Sequence, residues 1–195
     1  FTDTSEFAAN TTASLVPQTV LASSSLRGTL GLDSLVSSTP LTTRTGAGVT
    51  VAVIDSGMLL DGGSASRLKT TRDFTTGNPN PANIAALDGY GHGTHVAGLI
   101  GANQSESQGV APGVSYVSLR VLDNYGVGVT SNVIAAVQWA VANKATYGID
   151  ILNLSLGHPI YEPAATDPLV QALEAAVRAH LVVVVSAGNY GTNPL

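Results

Sequence analysis

Apolar positions along the chain fall into two alternating patterns. Val49-Thr50-Val51-Ala52-Val53-Ile54-Asp55 is a β-branched run that ends on a carboxylate, the pattern of a strand covered on both faces in a parallel sheet. Val114 to Leu122 predicts the next strand, Ile149 to Leu154 another buried one, and Leu181 to Ala187 the last. Between them the spacing changes. His92 to Ala102 is a stretch of small and apolar residues suited to a tightly packed helix. Ser131 to Tyr147 sets Val133, Ala136, Val137, Ala140 and Val141 on one helical face, with Gly148 as the stop. Asp167-Pro168 supplies an N-cap and first-turn pair for a helix running to about Ala179. Strands alternating with helices predict an α/β domain with a parallel sheet and right-handed crossovers.

The remaining stretches carry weaker patterns. Phe1 to Ser25 is rich in Ser, Thr and Ala without periodicity and reads as a surface arm or tether. Leu26, Leu30, Leu35 and Val36 suggest a short helix weakened by Gly28 and Gly31. Ser56 to Tyr90 reads as loop, broken by Gly62-Gly63, Asn78-Pro79-Asn80-Pro81 and Asp88-Gly89. Two regions follow, an arm over 1–25 and one domain over 26–195; the 44% hydrophobic content of the whole 195-residue chain is enough for a sizeable core.

Charge and cysteine narrow the function classes. A net charge of -5, with eight scattered Lys and Arg, argues against a nucleic-acid surface. Cysteine is absent, so no disulfide, thiolate nucleophile or thiolate metal site exists. Leu181 to Val185, the longest apolar run, is too short to cross a bilayer, and no membrane association is expected. The chain opens at Phe1 without a charged-then-apolar leader, which predicts either a processed product or an engineered segment.

The chemistry gathers around Asp88-Gly89-Tyr90-Gly91-His92-Gly93-Thr94-His95. A histidine between two glycines at a helix start is open to close backbone approach and free to face a cleft; alone it would more simply be a core histidine bonded to a carbonyl. Sites in open α/β sheets form beyond the carboxyl ends of the strands. Asp55, the Ser155-Leu156-Gly157 turn and the Gly188-Asn189 turn all fall there, with His92 able to join them. A buried aspartate accepting from an imidazole N–H makes the other ring nitrogen a competent base, and an amide on a rigid turn suits a developing oxyanion.

Asp55-Ser56-Gly57 after its strand, His92-Gly93-Thr94-His95-Val96-Ala97-Gly98, Asn153-Leu154-Ser155-Leu156-Gly157 and Ser186-Ala187-Gly188-Asn189 resemble the four motifs of the subtilisin-like serine proteases, in that family's order of Asp before His. The resemblance runs from about Val49 to Gly191. It implies a three-layer fold with a mostly parallel central sheet flanked by helices, incomplete at the C-terminus, and a secreted serine endopeptidase. Asp55 would orient, His92 act as general base and Asn189 donate to the oxyanion. Polypeptide substrate would lie as an added strand between Gly126-Val127-Gly128 and Ser155-Leu156-Gly157, with Ser186, Ala187 and Gly188 lining a first pocket roomy enough for a large apolar side chain. In isolation, Gly126 and Gly128 would simply close a turn.

The family's nucleophile context, Gly-Thr-Ser-x-Ala after the oxyanion asparagine, is absent, and six residues follow Asn189. These 195 residues alone are therefore expected to be inactive. Three explanations compete: an N-terminal chain whose serine-bearing C-terminal partner stays associated, an isolated fragment, or a catalytically inactive interaction domain. Losing the serine-bearing helix would leave apolar sheet surface in water, which favours a partner chain or a longer polypeptide.

No cofactor is identified with certainty, and a structural calcium ion is the one candidate. Subtilases hold structural calcium in a loop after the histidine helix, and Asn103 to Gly109, with Asn103, Gln104 and Glu106, is the corresponding stretch, although a solvated loop is the simpler reading. Asp73 is either a ligand or a turn residue. His92 and His95 lack the glutamate and third ligand of a zinc site, so His95 reads as packed within its helix. His180 reads as compensating a helix dipole.

Overall fold

The computed structural model describes residue 30 and residues 45–60, 62–104 and 107–189. The expected arm over 1–25 lies outside the described residues, as does most of the suggested 26–36 helix. Seven strands are described: β1 (Thr50–Asp55), β2 (Leu68–Asp73), β3 (Asn103–Gln104), β4 (Ser107–Gln108), β5 (Ser115–Arg120), β6 (Ile151–Leu154) and β7 (Val182–Val185). The helices are α1 (Gly62–Ala65), α2 (His92–Gly101), α3 (Thr130–Ala142), α4 (Lys144–Tyr147) and α5 (Pro168–Arg178).

The main sheet is entirely parallel, in the order β2-β5-β1-β6-β7. β1 lies at its centre, buried at every position. Successive side chains of a strand point to opposite faces, and both faces here are apolar. Val51 and Val53 pack with Met58, Ala97, Val114 and Tyr116 on the α2 side. Ala52 and Ile54 join Val117, Leu119 and the inner faces of α3 and α5 on the other. Three layers result, as the family resemblance implies. Because every strand runs the same way, the residues following β1, β5, β6 and β7 collect along one rim.

Two elements differ from the sequence expectation. The 56–90 stretch expected as loop contains α1 and β2. β2 reads Leu-Lys-Thr-Thr-Arg-Asp and sits at the sheet edge, so polar contacts replace apolar alternation. Lys69 donates to the Thr50 hydroxyl and the Tyr147 carbonyl, and the Arg72 guanidinium lies over the Trp139 ring and donates to the Tyr147 hydroxyl. The helix expected over 131–147 is interrupted at Asn143, whose N–H and side-chain amide both return to the Trp139 carbonyl.

Helix ends are fixed as the sequence suggests, with one substitution of role. Asp167 accepts from the N–H groups of Leu169 and Val170 and Pro168 opens α5. At its far end His180 adopts a left-handed φ of 62°. Leu181 N–H reaches the Ala176 carbonyl and His180 N–H that of Val177, closing the helix in the manner usually left to glycine. Two cations stand at this helix end: Arg178 in the last turn, and Lys144, whose ammonium donates to the carbonyls of Ala179 and His180.

Helix α2 is held at its C-terminus by Arg67, which donates to the Gly101 and Val114 carbonyls at 2.7 Å each while lying over the Tyr116 ring. Tyr116 in turn donates to the Ala97 carbonyl.

Candidate active site

β1 delivers Asp55 to the rim, and α2 begins with His92 directly opposite. The Asp55 carboxylate is buried and lies 2.8 Å (Oδ1) and 3.0 Å (Oδ2) from His92 Nδ1. The backbone explains the approach. Gly91 takes a φ of 92° at the helix start. A Cβ on Gly93 would stand 2.1 Å from the Gly57 carbonyl oxygen and 3.1 Å from Asp55 Cβ. Gly57 has a φ of 117°, and its own Cβ would meet the Leu87 carbonyl oxygen at 2.1 Å. Backbone fills the room that side chains would need, and the ring reaches its carboxylate for that reason.

The Asp55 carboxylate also accepts from the Ser56 N–H at 2.7 Å. The hydrogen bond to Asp55 holds the His92 pKa above the ordinary histidine value; partial burial opposes this, and the charges of Asp55 and Asp88 add to it. With Nδ1 turned to the carboxylate, Nε2 is the nitrogen left to accept a proton.

Arg120 is buried at the end of β5, in register with Asp55 on one side and Asp73 on the other. It donates to the Ser56 carbonyl, to Asp73 and Thr75, and to the Asn124 side chain. Burial would raise the Asp73 pKa, but bonds from the Thr75 hydroxyl and N–H and from Arg120 bring it below the usual carboxylate range. Asp73 is thus a turn and ion-pair residue.

The other sequence candidates stand further along the rim. In the 126–128 loop, Gly126 has a φ of 76° and does close a turn. Val127 bonds to Asp123 through both its N–H and its carbonyl, and the Gly126 N–H donates to the Asp123 carbonyl. Ser155, Leu156 and Gly157 follow β6, with the Leu156 carbonyl accepting from the Ser186 hydroxyl and Ser155 accepting from the Asn153 amide. Ser186, Ala187, Gly188 and Asn189 follow β7 and are exposed. Gly188, at a φ of 85°, turns the chain just before Asn189.

The structure brings Asp55 and His92 into contact but not Asn189, whose side chain has no hydrogen-bond partner among the described residues. Its strand is two places from β1, so the turn sits roughly 10 Å away across the sheet. His95 is exposed, contrary to the packed position expected for it, because its place on α2 faces away from the sheet.

Asn103 and Gln104 pair with Ser107 and Gln108 in a small antiparallel hairpin, and Glu106 lies outside the described residues. Among the described residues no cluster of His, Asp and Glu could hold a metal ion, and no helix is long and apolar enough to cross a membrane. Sequence reasoning gave no role to Ser56, Asp88 or Arg120. The Asp-Ser-Gly and Asp-x-x-Gly-His spacings contained the first two, but only the fold joins them.

Comparison with known proteins shows the family. A model described as the subtilase family matches residues 46–194. Subtilisin DY of Bacillus licheniformis is 37% identical over 150 residues, 76% of this chain and 50% of its own length. Subtilisin E of Bacillus subtilis (strain 168) is 38% identical over 152 residues, 76% of this chain and 36% of its own. A crystal structure of a cold adapted subtilisin-like serine proteinase superposes with a TM-score of 0.60 at 34% identity, over 75% of this chain and 49% of the other. The chain spans about half, or less, of the length of these relatives.

Proposed function

The chain belongs to the subtilase family, and we propose that it is the part of a serine endopeptidase that carries the aspartate, the histidine and the oxyanion asparagine. The observation that carries this is the 2.8 Å contact between His92 Nδ1 and the buried Asp55. Asp55 fixes the tautomer and stabilises the imidazolium. His92 Nε2 takes the proton from a serine hydroxyl as that oxygen attacks the scissile carbonyl, then returns it to the leaving amine. Asn189 donates to the oxyanion formed in between.

The serine comes from a C-terminal segment, continuous or cleaved but associated. The exposed valines of β7, Val182 at 58%, Val184 at 48% and Val185 at 54%, favour this, since the strand is the edge of the sheet among the described residues and presents apolar side chains and backbone to whatever completes it. Substrate lies extended between the glycines of the 126–128 loop and the Ser155-Leu156-Gly157 segment, with Ser186, Ala187 and Gly188 around its first side chain. The protein works outside the cytoplasm, as a secreted enzyme. A structural calcium ion near Asn103 and Gln104 is a secondary expectation, supported only by the oxygen-rich composition of that hairpin.

A fluorophosphonate probe tests the proposal. It should leave this chain unmarked and label a serine-bearing segment in the full-length or reassembled protein, and His92→Ala should abolish labelling. Unchanged labelling of that variant refutes the role of His92. A preparation in which no segment is labelled supports the inactive interaction domain instead.

A further inference from the structure

A second carboxylate stands behind the Asp55–His92 pair. Asp88 precedes α2 by four residues and accepts four hydrogen bonds: Oδ1 from the Ser56 hydroxyl at 2.9 Å and the Gly91 N–H at 2.8 Å, Oδ2 from the Thr94 N–H at 2.8 Å and the Thr94 hydroxyl. Two of those donors are backbone N–H groups at the helix start, one of the N-cap Gly91 and one of Thr94 in the first turn, where N–H groups lack intrahelical partners and carry the positive end. The donor on the other side is the residue that follows Asp55. Ser56 also gives its N–H to Asp55 and accepts the Gly93 N–H at 3.0 Å.

The bonds form a closed circuit. From Asp55 it passes through Ser56 to Asp88, on to the α2 N-terminus, and back through the His92 ring to Asp55. Every polar group of Ser56 is used within it or by Arg120, which holds the Ser56 carbonyl. We propose that Asp88 is a positioning residue of the site, its carboxylate binding the first turn of α2 to the Asp55 turn so that the imidazole is held facing its partner. This inference rests on the proposed proteolytic role of His92.

Two consequences separate this from general structural support. Asp88 acts as a brace, because it joins the two elements that carry the pair. It also acts as a charge. Burial would raise its own pKa, but the bonds from Thr94, Gly91 and Ser56 bring it below the usual carboxylate range, so it is ionised wherever His92 titrates. Among the described residues, the titratable or charged groups facing His92 are Asp55 from β1, Asp88 before α2, and the Tyr90 ring at 6.4 Å; Arg120 from β5 lies beyond the Ser56 carbonyl. Both carboxylates favour the imidazolium.

The test uses the full-length protein, with kcat, KM and the NMR titration of His92 as readouts. Asp88→Asn should lower kcat by about tenfold to about a hundredfold, the size of effect that misplaced reacting groups produce, with little change in KM, and should move the His92 titration to lower pH. Asp88→Glu, which keeps the charge but is one methylene too long for the circuit, should restore the titration and not kcat. Ser56→Ala should lower kcat while leaving the titration near its native position. Wild-type kcat and wild-type titration in Asp88→Asn overturn the proposal. So does a His92 titration unmoved by Asp88→Asn when only melting temperature falls. If Asp88→Asn does not fold, a wild-type kcat in Ser56→Ala overturns it. Should the native protein show no turnover, the proteolytic reading fails, while the titrations still decide whether Asp88 braces and charges the pair.

Discussion

β1 and β7 are near twins in sequence and opposites in surroundings. Thr50–Asp55 lies at the centre of the sheet with every residue buried, and its last side chain meets His92. Val182–Val185 is a pure β-branched strand at the sheet edge, with three of its four valines about half exposed. The difference teaches that a β-branched run specifies a strand, whereas its neighbours decide whether the strand is covered. It also divides the rim. Around β1 the polar groups are paired, buried and braced; beyond β7, Asn189 is exposed on a turn that none of the described residues covers.

The largest effect expected from attacking the β1 side is on chemistry. In full-length protein, Asp55→Asn should reduce kcat/KM by about 10⁴-fold, the loss typical when a triad aspartate is neutralised. A reduction of only a few-fold, measured on a peptide substrate, would mean that the two ends of the rim are equally dispensable.

Stability sharpens the contrast. In the 195-residue chain, Ile54→Ala should cost about 2–5 kcal/mol, while Val184→Ala should fall within about 0.5 kcal/mol of the native value. In a protein that carries the proposed C-terminal segment, the β7 substitution should become costly. Denaturant midpoints decide, and equal costs in the shorter chain would break the comparison.

Glycines divide in the same way. Gly93→Ala forces a Cβ against the Gly57 carbonyl and should cost about 1–3 kcal/mol, together with loss of the Asp55–His92 contact. Gly157→Ala meets nothing within 4 Å and should be close to neutral. Thermal unfolding with histidine NMR distinguishes them.

The smallest effect is that of pH, and its sign follows from the two shifts. The His92 pKa is raised in the folded protein, mainly by its bond to Asp55. Its pairing therefore contributes fully below the unfolded histidine pKa and is lost as pH rises through the folded one. The acid limb of activity should correspondingly lie above the ordinary histidine value, and Asp55→Asn should bring it down. Asp88 runs the other way: its contribution is present above the unfolded carboxylate pKa and fades as pH falls through its depressed value. A pH series of melting temperatures, native against Asp88→Asn, separates the two.

Much of this architecture was legible from spacing alone. The apolar run at β1, the small-residue helix starting at His92 and the Asp167-Pro168 cap all appear where local pattern and tertiary position agree. β2 escaped because an edge strand rich in Thr, Lys and Arg is stabilised by Lys69 and Arg72 contacts from elsewhere in the chain, and no periodicity announces those. His95 misled because histidine in an apolar stretch looks interior, while its side of α2 faces out. The Asp55 and His92 candidates were visible as motifs. Ser56 and Asp88 stood inside those stretches without a role and Arg120 outside them, because their importance lies in who receives each hydrogen bond, and that is settled only when β1, β5 and α2 meet.

The fastening of α2 bears on how heat would silence the site. One end of the helix is tied through Asp88 to the Asp55 turn, and the other through Arg67 to carbonyls of Gly101 and Val114. A strut clamped at both ends has no hinge about which its ring-bearing end can loosen early. On warming, inactivation and collapse of the β1–β5 region should then share one midpoint, and thermostability sought by stiffening this strut would have little left to stiffen.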